Sequence, residues 1–276
     1  MRVFAEPQKE VDAGARLSFR RAGPRTVIEA AFAKSPLRVL TPRNHGRAAW
    51  AYTSTLGGGL VDGDVVRLHA SVGPGAAAVL ATQGQNRVYR SRRGCRSELV
   101  ADVGEGGLLA LLPDPTVCFA GAQYEQRTEL RLLPGAAAVA VDVLACGRSA
   151  RGERWAFRRY QGELCLRSGD RVLVDERLLL DPAHGALAAR LGRFDALCTL
   201  LIAGDCLRAQ RDDLARRIGE LPLRPRADRV EQANELDGAL LVRIAAVSLE
   251  DVVRAVRDHL RFLPALLGDD PFARRP

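Results

Sequence analysis

The first two-thirds of the chain alternates apolar and polar residues with a period of two. From Val66 to Val72, apolar residues occupy every second position, and arginine, histidine and serine lie between them. From Tyr124 to Leu132, the intervening positions are glutamate, arginine, glutamate and arginine. This period is typical of β-strands with one buried face. The sequence therefore predicts strands here, with a solvated ladder of opposite charges on the second.

A weak internal repeat accompanies these strands. Its three copies are VGPGAAAVLAT from Val72, VGEGGLLALLP from Val103 and LLPGAAAVAVD from Leu132. The matching glycines, Gly75, Gly106 and Gly135, recur at intervals of about 30 residues, a spacing typical of stacked repeat units. Each copy is a tight turn followed by an apolar strand. The repeat predicts stacked β units that bury one another's faces, although coincidence in an alanine- and glycine-rich chain is the alternative.

Helical periodicity appears only late in the chain. Leucine and isoleucine recur at three- and four-residue steps from Asp205 to Leu221, before Pro222. A second helix is predicted from Ser248, whose S-x-x-D pattern resembles a capping box, to Pro264, which we expect to stop it. A further strand, GALLVRIAAV from Gly238, lies between them. We therefore expect a mainly β, solenoid-like fold with two late α-helices.

No long linker divides the chain, so residues 1–276 are predicted to form a single domain. The tail from about residue 265 to 276 is expected to be frayed. With 47% hydrophobic and 27% charged residues, the chain excludes extensive disorder, and it has no apolar run of bilayer-spanning length. No secretory start is visible, which favours a cytoplasmic protein that does not contact membranes.

The chain is basic, with a formal net charge of +8. All but two of its 41 lysine and arginine residues, Lys9 and Lys34, are arginine. Guanidinium groups pair with carboxylates and phosphates through two parallel hydrogen bonds, so an acidic protein or a nucleic acid is the expected kind of partner. Aromatic residues make up only 5% of the chain, which is few for a protein that stacks on bases.

Cysteine and histidine show no metal-binding spacing. The six cysteines are Cys95, Cys118, Cys146, Cys165, Cys198 and Cys206, and the four histidines are His45, His69, His184 and His259. No C-x-x-C or H-E-x-x-H pattern occurs, so no tight metal site and no bound cofactor are predicted, and the cysteines are interpreted as small buried residues. No nucleophile or metal-activated water motif is present either, which favours a protein that is not an enzyme.

The most distinctive stretch is LGGGLVDGDVV, from Leu56 to Val66. A phosphate-binding loop is excluded, because it would need G-K-[ST] and a following helix, whereas a strand follows here. Asp62 and Asp64 have two interpretations. One interpretation is that they cap a turn, and the other is that they contact a cation or a partner's arginine.

Three further stretches carry clustered polar residues. TQGQNRVYRSRRGCR, from Thr82 to Arg96, is either an RNA-binding patch or a solvated loop. LLPDPTVCFAGAQYEQ, from Leu111 to Gln126, contains a Pro-Asp-Pro turn that an Asx bond of Asp114 could hold. DVLACGRSARGERWAFRRY, from Asp142 to Tyr160, could form a buried ion-pair network or ordinary surface pairs; its charged residues include Asp142, Arg148, Glu153 and Arg154.

These four stretches, in this order, resemble the urease accessory protein UreD, also called UreH. The resemblance runs from about Ser35 to Tyr160 and continues more faintly through Gly238–Arg243 and the helix from Ser248. It implies a β-helical fold with two helices and a scaffold, rather than an enzyme, that helps deliver nickel into apo-urease. The implied partners are urease and the accessory proteins UreF and UreG, the latter a GTPase.

Two positions depart from the family pattern. The chain ends in DDPFARRP, with no tryptophan after Trp155, and Cys146 stands where family members commonly carry an apolar residue. The first departure concerns a C-terminal contact surface. The second makes Cys146 either a nickel ligand or a small core residue.

The resemblance predicts a nickel-insertion scaffold with a polar internal route for transient Ni²⁺. Carboxylates and amides suit such a route, because a closed Cys/His cage would retain the ion. The candidate lining residues are Asp62, Asp64, Gln83, Asp142 and Glu153. The candidates for partner docking or for holding the motifs in shape are Arg87, Tyr89, Arg90, Asp114, Gln126 and Arg148. A basic nucleic-acid-binding module is the alternative from the charge, and an unrecognised hydrolase is a third.

Overall fold

A computed structural model describes residues 14–43, 46–222 and 224–273. The strands of the first half are β1 Ala15–Ala22, β2 Arg25–Ala33, β3 Leu37–Leu40, β4 Ala49–Thr55, β5 Val65–Val72, β6 Ala77–Thr82, β7 Asn86–Val88, β8 Cys95–Val103, β9 Leu108–Leu112, β10 Thr116–Cys118 and β11 Gln123–Leu132. The later strands are β12 Ala137–Ala145, β13 Arg159–Ser168, β14 Arg171–Leu180, β15 Ala196–Ala203, β16 Arg229–Leu236 and β17 Ala239–Ala246. The α-helices are α1 Leu187–Arg190, α2 Arg208–Gly219, α3 Leu249–His259 and α4 Leu263–Leu267. The predicted mainly β fold with late helices is confirmed.

The strands form two sheets that face each other. The first sheet has the order β14-β13-β11-β8-β5-β1-β2. The second has the order β16-β17-β15-β12-β9-β6-β4-β3, with short β10 and β7 pairing beside β12. Strands β5, β8 and β11 run parallel in the first sheet, and β6, β9 and β12 run parallel in the second. β1 and β13 extend the parallel centre of the first sheet, and β4 extends that of the second. Antiparallel strands then continue both sheets on either side.

The predicted repeat is the structural unit of the fold. Each copy begins at the last residue of a first-sheet strand, continues through a glycine turn and ends in a strand of the second sheet, so the units stack as a β-solenoid of about three turns. Gly75, Gly106 and Gly135 occupy equivalent places in the three turns, each with a positive φ between 61° and 70°. The alternation from Val66 to Val72 is also confirmed, because its apolar side chains are buried between the sheets.

The core has two parts. One lies between the two sheets. The other lies between the second sheet and the apolar faces of α2, α3 and α4. Because the central strands of the second sheet contact a layer on each face, they are apolar on both, as in the run LLALL of β9. None of the helices in the described part of the chain is long and apolar enough to span a membrane.

The helices differ from the sequence expectation at their ends. A single 3₁₀ turn, Asp205–Leu207, precedes α2. Ser248 caps α3 as predicted, accepting a hydrogen bond from the Asp251 backbone N–H. The prediction that Pro264 stops this helix is wrong, because α3 ends at His259 and Pro264 lies in the first turn of α4. Proline fits that position, where its missing N–H costs no intrahelical hydrogen bond.

The C-terminal segment is packed where the structure describes it. Leu267 is fully buried, and its carbonyl accepts hydrogen bonds from the backbone N–H groups of Arg47 and Ala48. Phe272 packs against the core on the helix side of the second sheet. The expectation of a frayed tail therefore does not describe residues 265–273, because this segment anchors to the loop before β4. Residues 274–276 lie outside the described part of the chain.

Candidate functional site

A cavity of about 420 Å³ lies between the two sheets, near the ends of β6, β8, β11 and β12. Polar side chains line it in the middle of an otherwise apolar layer, among them Thr82, Gln83, Gln85, Asn86, Ser97, Gln126 and Asp142. Small apolar residues such as Ala81 and Ala140 complete the wall and leave the space open. This cavity is where the fold offers a polar interior.

Asp142 is the cavity's most deeply placed acid. It lies on β12, whose other residues are buried and apolar. Burial raises the pKa of Asp142, and hydrogen bonds from Gln126 and Tyr160 only partly offset this. The Tyr160 hydroxyl lies 3.4 Å from Asp142 Oδ2. A carboxylate in this position gains from any cation that enters the cavity, because the cation would replace the lost hydration.

Two tyrosines extend this polar network. The Tyr124 hydroxyl lies 2.5 Å from Ser97 Oγ, accepts a hydrogen bond from Asn86 Nδ2 at 3.1 Å and lies 3.3 Å from Gln126 Oε1. Burial holds the pKa of Tyr124 and of Tyr160 above the ordinary range, so both hydroxyls stay neutral. The network therefore presents oxygen and amide groups without a fixed positive charge.

Asp62 and Asp64 lie outside the lining of this cavity. Asp62 Oδ1 accepts hydrogen bonds from the backbone N–H groups of Arg92 (2.9 Å) and Arg93 (2.7 Å). Burial by itself would raise the pKa of Asp62, but these hydrogen bonds and the Arg93 charge lower it overall. Asp64 Oδ2 accepts a hydrogen bond from the Val61 N–H at 2.8 Å. Their observed contacts are those of residues that hold turns.

Glu153 is engaged with Arg148. Arg148 Nε donates to Glu153 Oε2 at 2.8 Å, and the Ala120 backbone N–H donates to the same oxygen at 3.1 Å. The bond from Arg148 is the main reason that the pKa of Glu153 is lowered. Arg154 pairs separately with Asp195. The four charged residues of this stretch thus do not form one network, because Asp142 points into the cavity and the other three serve two half-buried surface pairs.

The predicted docking residues lie around the loop after β7. Tyr89 contacts the Phe119 ring edge-on, with centroids 5.2 Å apart, and the Arg148 guanidinium lies 4.1 Å above the same ring. Arg87 and Arg90 are exposed. Gly59 lies under this loop, and a Cβ there would come within 2.7 Å of the Tyr89 ring. The glycine-rich stretch is therefore needed for close packing.

Asp114 and Gln126 hold other parts of the structure. Thr82 Oγ1 donates to Asp114 Oδ2 at 3.1 Å and accepts from the Asp114 backbone N–H at 2.7 Å. This pair ties the Pro-Asp-Pro turn to the end of β6, so the bond crosses to a neighbouring strand. Gln126 faces the cavity beside Tyr124.

The cysteines divide into two groups. Cys95, Cys118, Cys146 and Cys198 are buried, as predicted, whereas Cys165 is half-buried and Cys206 is exposed beside α2. Burial raises the pKa of Cys146 to about 11, so its thiol stays protonated and is poorly suited to bind a metal. Within the described ranges, no group of three or more His, Cys, Asp and Glu side chains is placed to hold a metal ion.

Sequence reasoning missed most of the network. Ser97 and Tyr160 sit on different strands that the pairing of β8, β11 and β13 brings together, and Asn86 lies on β7, which pairs with β10 in the second sheet. The signal available in the sequence was a polar residue at an inward-facing strand position, as at Ser97 and Gln126. That signal indicates burial of a polar group, but it does not indicate which groups meet.

Comparisons with known proteins agree on one family. A family model described as UreD urease accessory protein matches residues 11–276. The chain is 50% identical over 260 residues to a "Urease accessory protein UreD" of Sorangium cellulosum, covering 94% of this chain and 83% of that protein. It is 39% identical over 279 residues to one of Anaeromyxobacter sp., covering 99% and 94%. A "Urease accessory protein D" of Oryza sativa subsp. indica is 30% identical, with 90% and 91% covered.

Proposed function

Because the chain belongs to the UreD urease accessory protein family, and so has a role in urease maturation, we propose that it is a scaffold for nickel insertion. In this proposal it docks apo-urease together with UreF-like and UreG-like partners in the cytoplasm. It also offers Ni²⁺ a polar route through the interior of the solenoid. The relatives are named accessory proteins, which supports a scaffold without catalytic activity of its own.

The observation that carries the proposal is the polar cavity between the sheets. A route must bind the ion weakly at several points, since a tight site would stop transfer. The hydroxyls, amides and carboxylates of the lining meet this need, because nickel binds thiolates and imidazoles more strongly than oxygen ligands. The buried thiols beside the cavity do not compete, since burial raises the pKa of Cys118 and keeps it protonated.

Only some of the candidate residues for the nickel route line the cavity. Of the sequence candidates, Gln83 and Asp142 line it, and Gln126 joins them. The contacts of Asp62, Asp64 and Glu153 favour structural roles, so we propose a route centred on Asp142.

Replacing Asp142 by Asn tests this route. Asn keeps the size and one acceptor oxygen for Tyr160 but removes the charge that attracts the ion. We expect Asp142→Asn to fold and to bind its partners normally and to lower the nickel content of urease several-fold in a maturation assay with the accessory proteins. Asp62→Asn is the matched control. Because an Asn oxygen can still accept the backbone hydrogen bonds of that turn, it should load nickel nearly as well as the unmodified protein.

Two outcomes of this experiment would contradict the proposal. Normal nickel loading by Asp142→Asn, at equal complex formation, would remove Asp142 from the route. A loss with Asp62→Asn and not with Asp142→Asn would move the route to the surface turn instead. Complex formation and thermal unfolding of each variant are measured in the same preparations, so that loss of folding is not mistaken for loss of transfer.

A further inference from the structure

A second, open groove of about 780 Å³ adjoins the cavity. Strands β7 and β10, the loop after β12 and the start of α3 form its walls. Gln85 and Arg87 line both the groove and the cavity. The groove therefore lies at a mouth of the polar interior.

The floor of the groove is apolar and already packed. Tyr89, Phe119 and Arg148 form a stack in which the guanidinium covers one face of the phenylalanine ring. Val117 and Leu249 extend this surface towards α3. Because the pair with Glu153 holds Arg148 in place, little side-chain freedom would be lost when a partner binds here.

Two arginines of the groove form no salt bridge with the described residues. Arg87 and Arg151 line it, and both are exposed. Across residues 14–43, 46–222 and 224–273, no carboxylate lies within ion-pair distance of these two side chains, whereas the arginines on the outer face of the first sheet are paired.

Most acidic residues at the groove already form ion pairs with arginines. Asp195 pairs with Arg154, and Glu153 pairs with Arg148. Glu250, in the first turn of α3, is the remaining acid on the wall. The groove thus carries a net positive charge over an apolar floor.

We propose that this groove docks an acidic, extended segment of a partner protein that carries an apolar side chain. Carboxylates of the segment would pair with Arg87 and Arg151, and the apolar side chain would rest against Tyr89 and Phe119. Arginine is suited to such recognition, because its planar group binds a carboxylate through two hydrogen bonds. The inference rests on the proposed function in one respect, that the docked partner takes part in nickel transfer at the cavity mouth.

The same arginines could be read as a nucleic-acid site, but the groove fits that ligand less well. Base stacking needs free aromatic faces, and Arg148 already covers a face of Phe119. A phosphate backbone would also pass Glu250 and the carboxylates of the two wall ion pairs. An acidic peptide needs no stacking surface, and it contacts the arginines at single points.

The test measures binding of a fluorescent synthetic peptide of alternating glutamate and glycine with one central phenylalanine. Matched probes are the same peptide with every glutamate replaced by glutamine, and a single-stranded oligonucleotide of equal charge. The variants are Arg87→Glu, Arg151→Glu and the double substitution. Arg25→Glu is the control, because Arg25 is an exposed, unpaired arginine in the described part of the chain, at the β1–β2 turn on the opposite end of the strands.

We expect the acidic peptide to bind the full chain, and each groove variant to weaken binding about tenfold, as for loss of one charged hydrogen-bonded pair. Arg25→Glu should change it little, and the glutamine peptide should bind weakly at best. The proposed docking site is refuted if the peptide fails to bind at about 1 mM, or if Arg25→Glu weakens peptide binding as much as the groove variants do. Tighter binding of the oligonucleotide, lost in the same variants, would overturn the proposal in favour of nucleic acid.

This experiment needs no urease and no nickel. A failure of peptide binding with normal nickel loading would therefore reject the groove and leave the proposed route intact. The reverse result, peptide binding with no role of Asp142 in loading, would reject the route and keep the groove.

Discussion

At the scale of single residues, the structure gives different environments to chemically similar carboxyl groups. Burial raises the pKa of Asp142 in the cavity, whereas hydrogen bonds and the charge of Arg93 lower that of Asp62 on the surface. Glu231 is a third case. Its side chain on β16 is 1% exposed, and its Oε2 lies 2.6 Å from His259 Nε2 on α3. Burial alone would raise the pKa of Glu231, but the hydrogen bond and charge of His259, with Arg229, lower it overall.

Because of the contact between Glu231 and His259, we expect the free energy of unfolding to depend on pH. A lowered pKa means that the folded state favours the ionised carboxyl, so its contribution is full above the unfolded pKa and disappears as the pH falls through the folded value. We expect Glu231→Gln to lower the free energy of unfolding by about 3–5 kcal/mol at pH 7, as when one member of a buried ion pair is removed. Below about pH 4 the difference should shrink, because a protonated glutamate resembles glutamine.

Urea unfolding between pH 7 and pH 3 measures this difference. Glu235→Gln, an exposed position on the same strand, is the control and should stay within about 0.5 kcal/mol of the unmodified protein at each pH. A difference for Glu231→Gln that stays constant down to pH 3 would contradict the role assigned to its charge.

At the scale of elements, the turns of the solenoid determine how closely its units stack. A Cβ at Gly104 would lie 2.9 Å from Pro74 N and 3.0 Å from the Gly73 carbonyl carbon, both in the preceding unit. Gly106, two residues later, has a φ of +61° and open space around it. The two glycines are thus required for different reasons, close approach of neighbouring units in one case and backbone conformation in the other.

Alanine substitution should separate these two requirements. We expect Gly104→Ala to lower the free energy of unfolding by about 2–3 kcal/mol, because the added methyl group pushes two backbone segments apart. Gly106→Ala should lower the free energy of unfolding by only about 1 kcal/mol, because a residue with a side chain is strained in a left-handed conformation. Chemical denaturation of both variants measures the comparison. An equal or smaller loss at Gly104 would mean that neighbouring units can separate without cost.

At the scale of the whole molecule, the fold combines a stacked β centre, a polar interior and a basic groove at one mouth of that interior. The cavity and groove share Gln85 and Arg87, so a segment bound in the groove would touch the residues that open into the cavity. Oxygen and amide groups prevail in the interior, and the nearby thiols are protonated. This chemistry suits brief contact with an ion that is passed on.

The isolated chain should therefore bind nickel only weakly. We expect titration calorimetry to show dissociation constants of about 1 µM or weaker, since the cavity lining offers carboxylates, hydroxyls and amides rather than thiolates or imidazoles. Asp142→Asn should weaken this binding further, with Asp62→Asn again as the control. A stoichiometric site of nanomolar affinity in the isolated chain would be incompatible with a transfer route.

Much of the fold could be predicted from local sequence pattern. The alternation from Val66, the glycine repeat and the cap at Ser248 each reflect an interaction between residues close in the chain, and each is present in the structure. The end of α3 and the packed C-terminal segment were predicted wrongly. The packing of the C-terminal segment depends on a distant contact, between Leu267 and the loop before β4, that no local pattern records.

The sequence by itself determined the class of the fold, its repeating unit and, through four ordered motifs, the family. These follow from periodicity and turn chemistry, which act over a few residues. Only the tertiary structure decided the site. It places Gln83 and Asp142 in the lining of the cavity, and it gives Asp62, Asp64 and Glu153 hydrogen bonds within loops, while the nickel route itself stays a proposal. The physical reason is that a polar residue acts according to what lies across from it, and strand pairing places residues about thirty positions apart side by side.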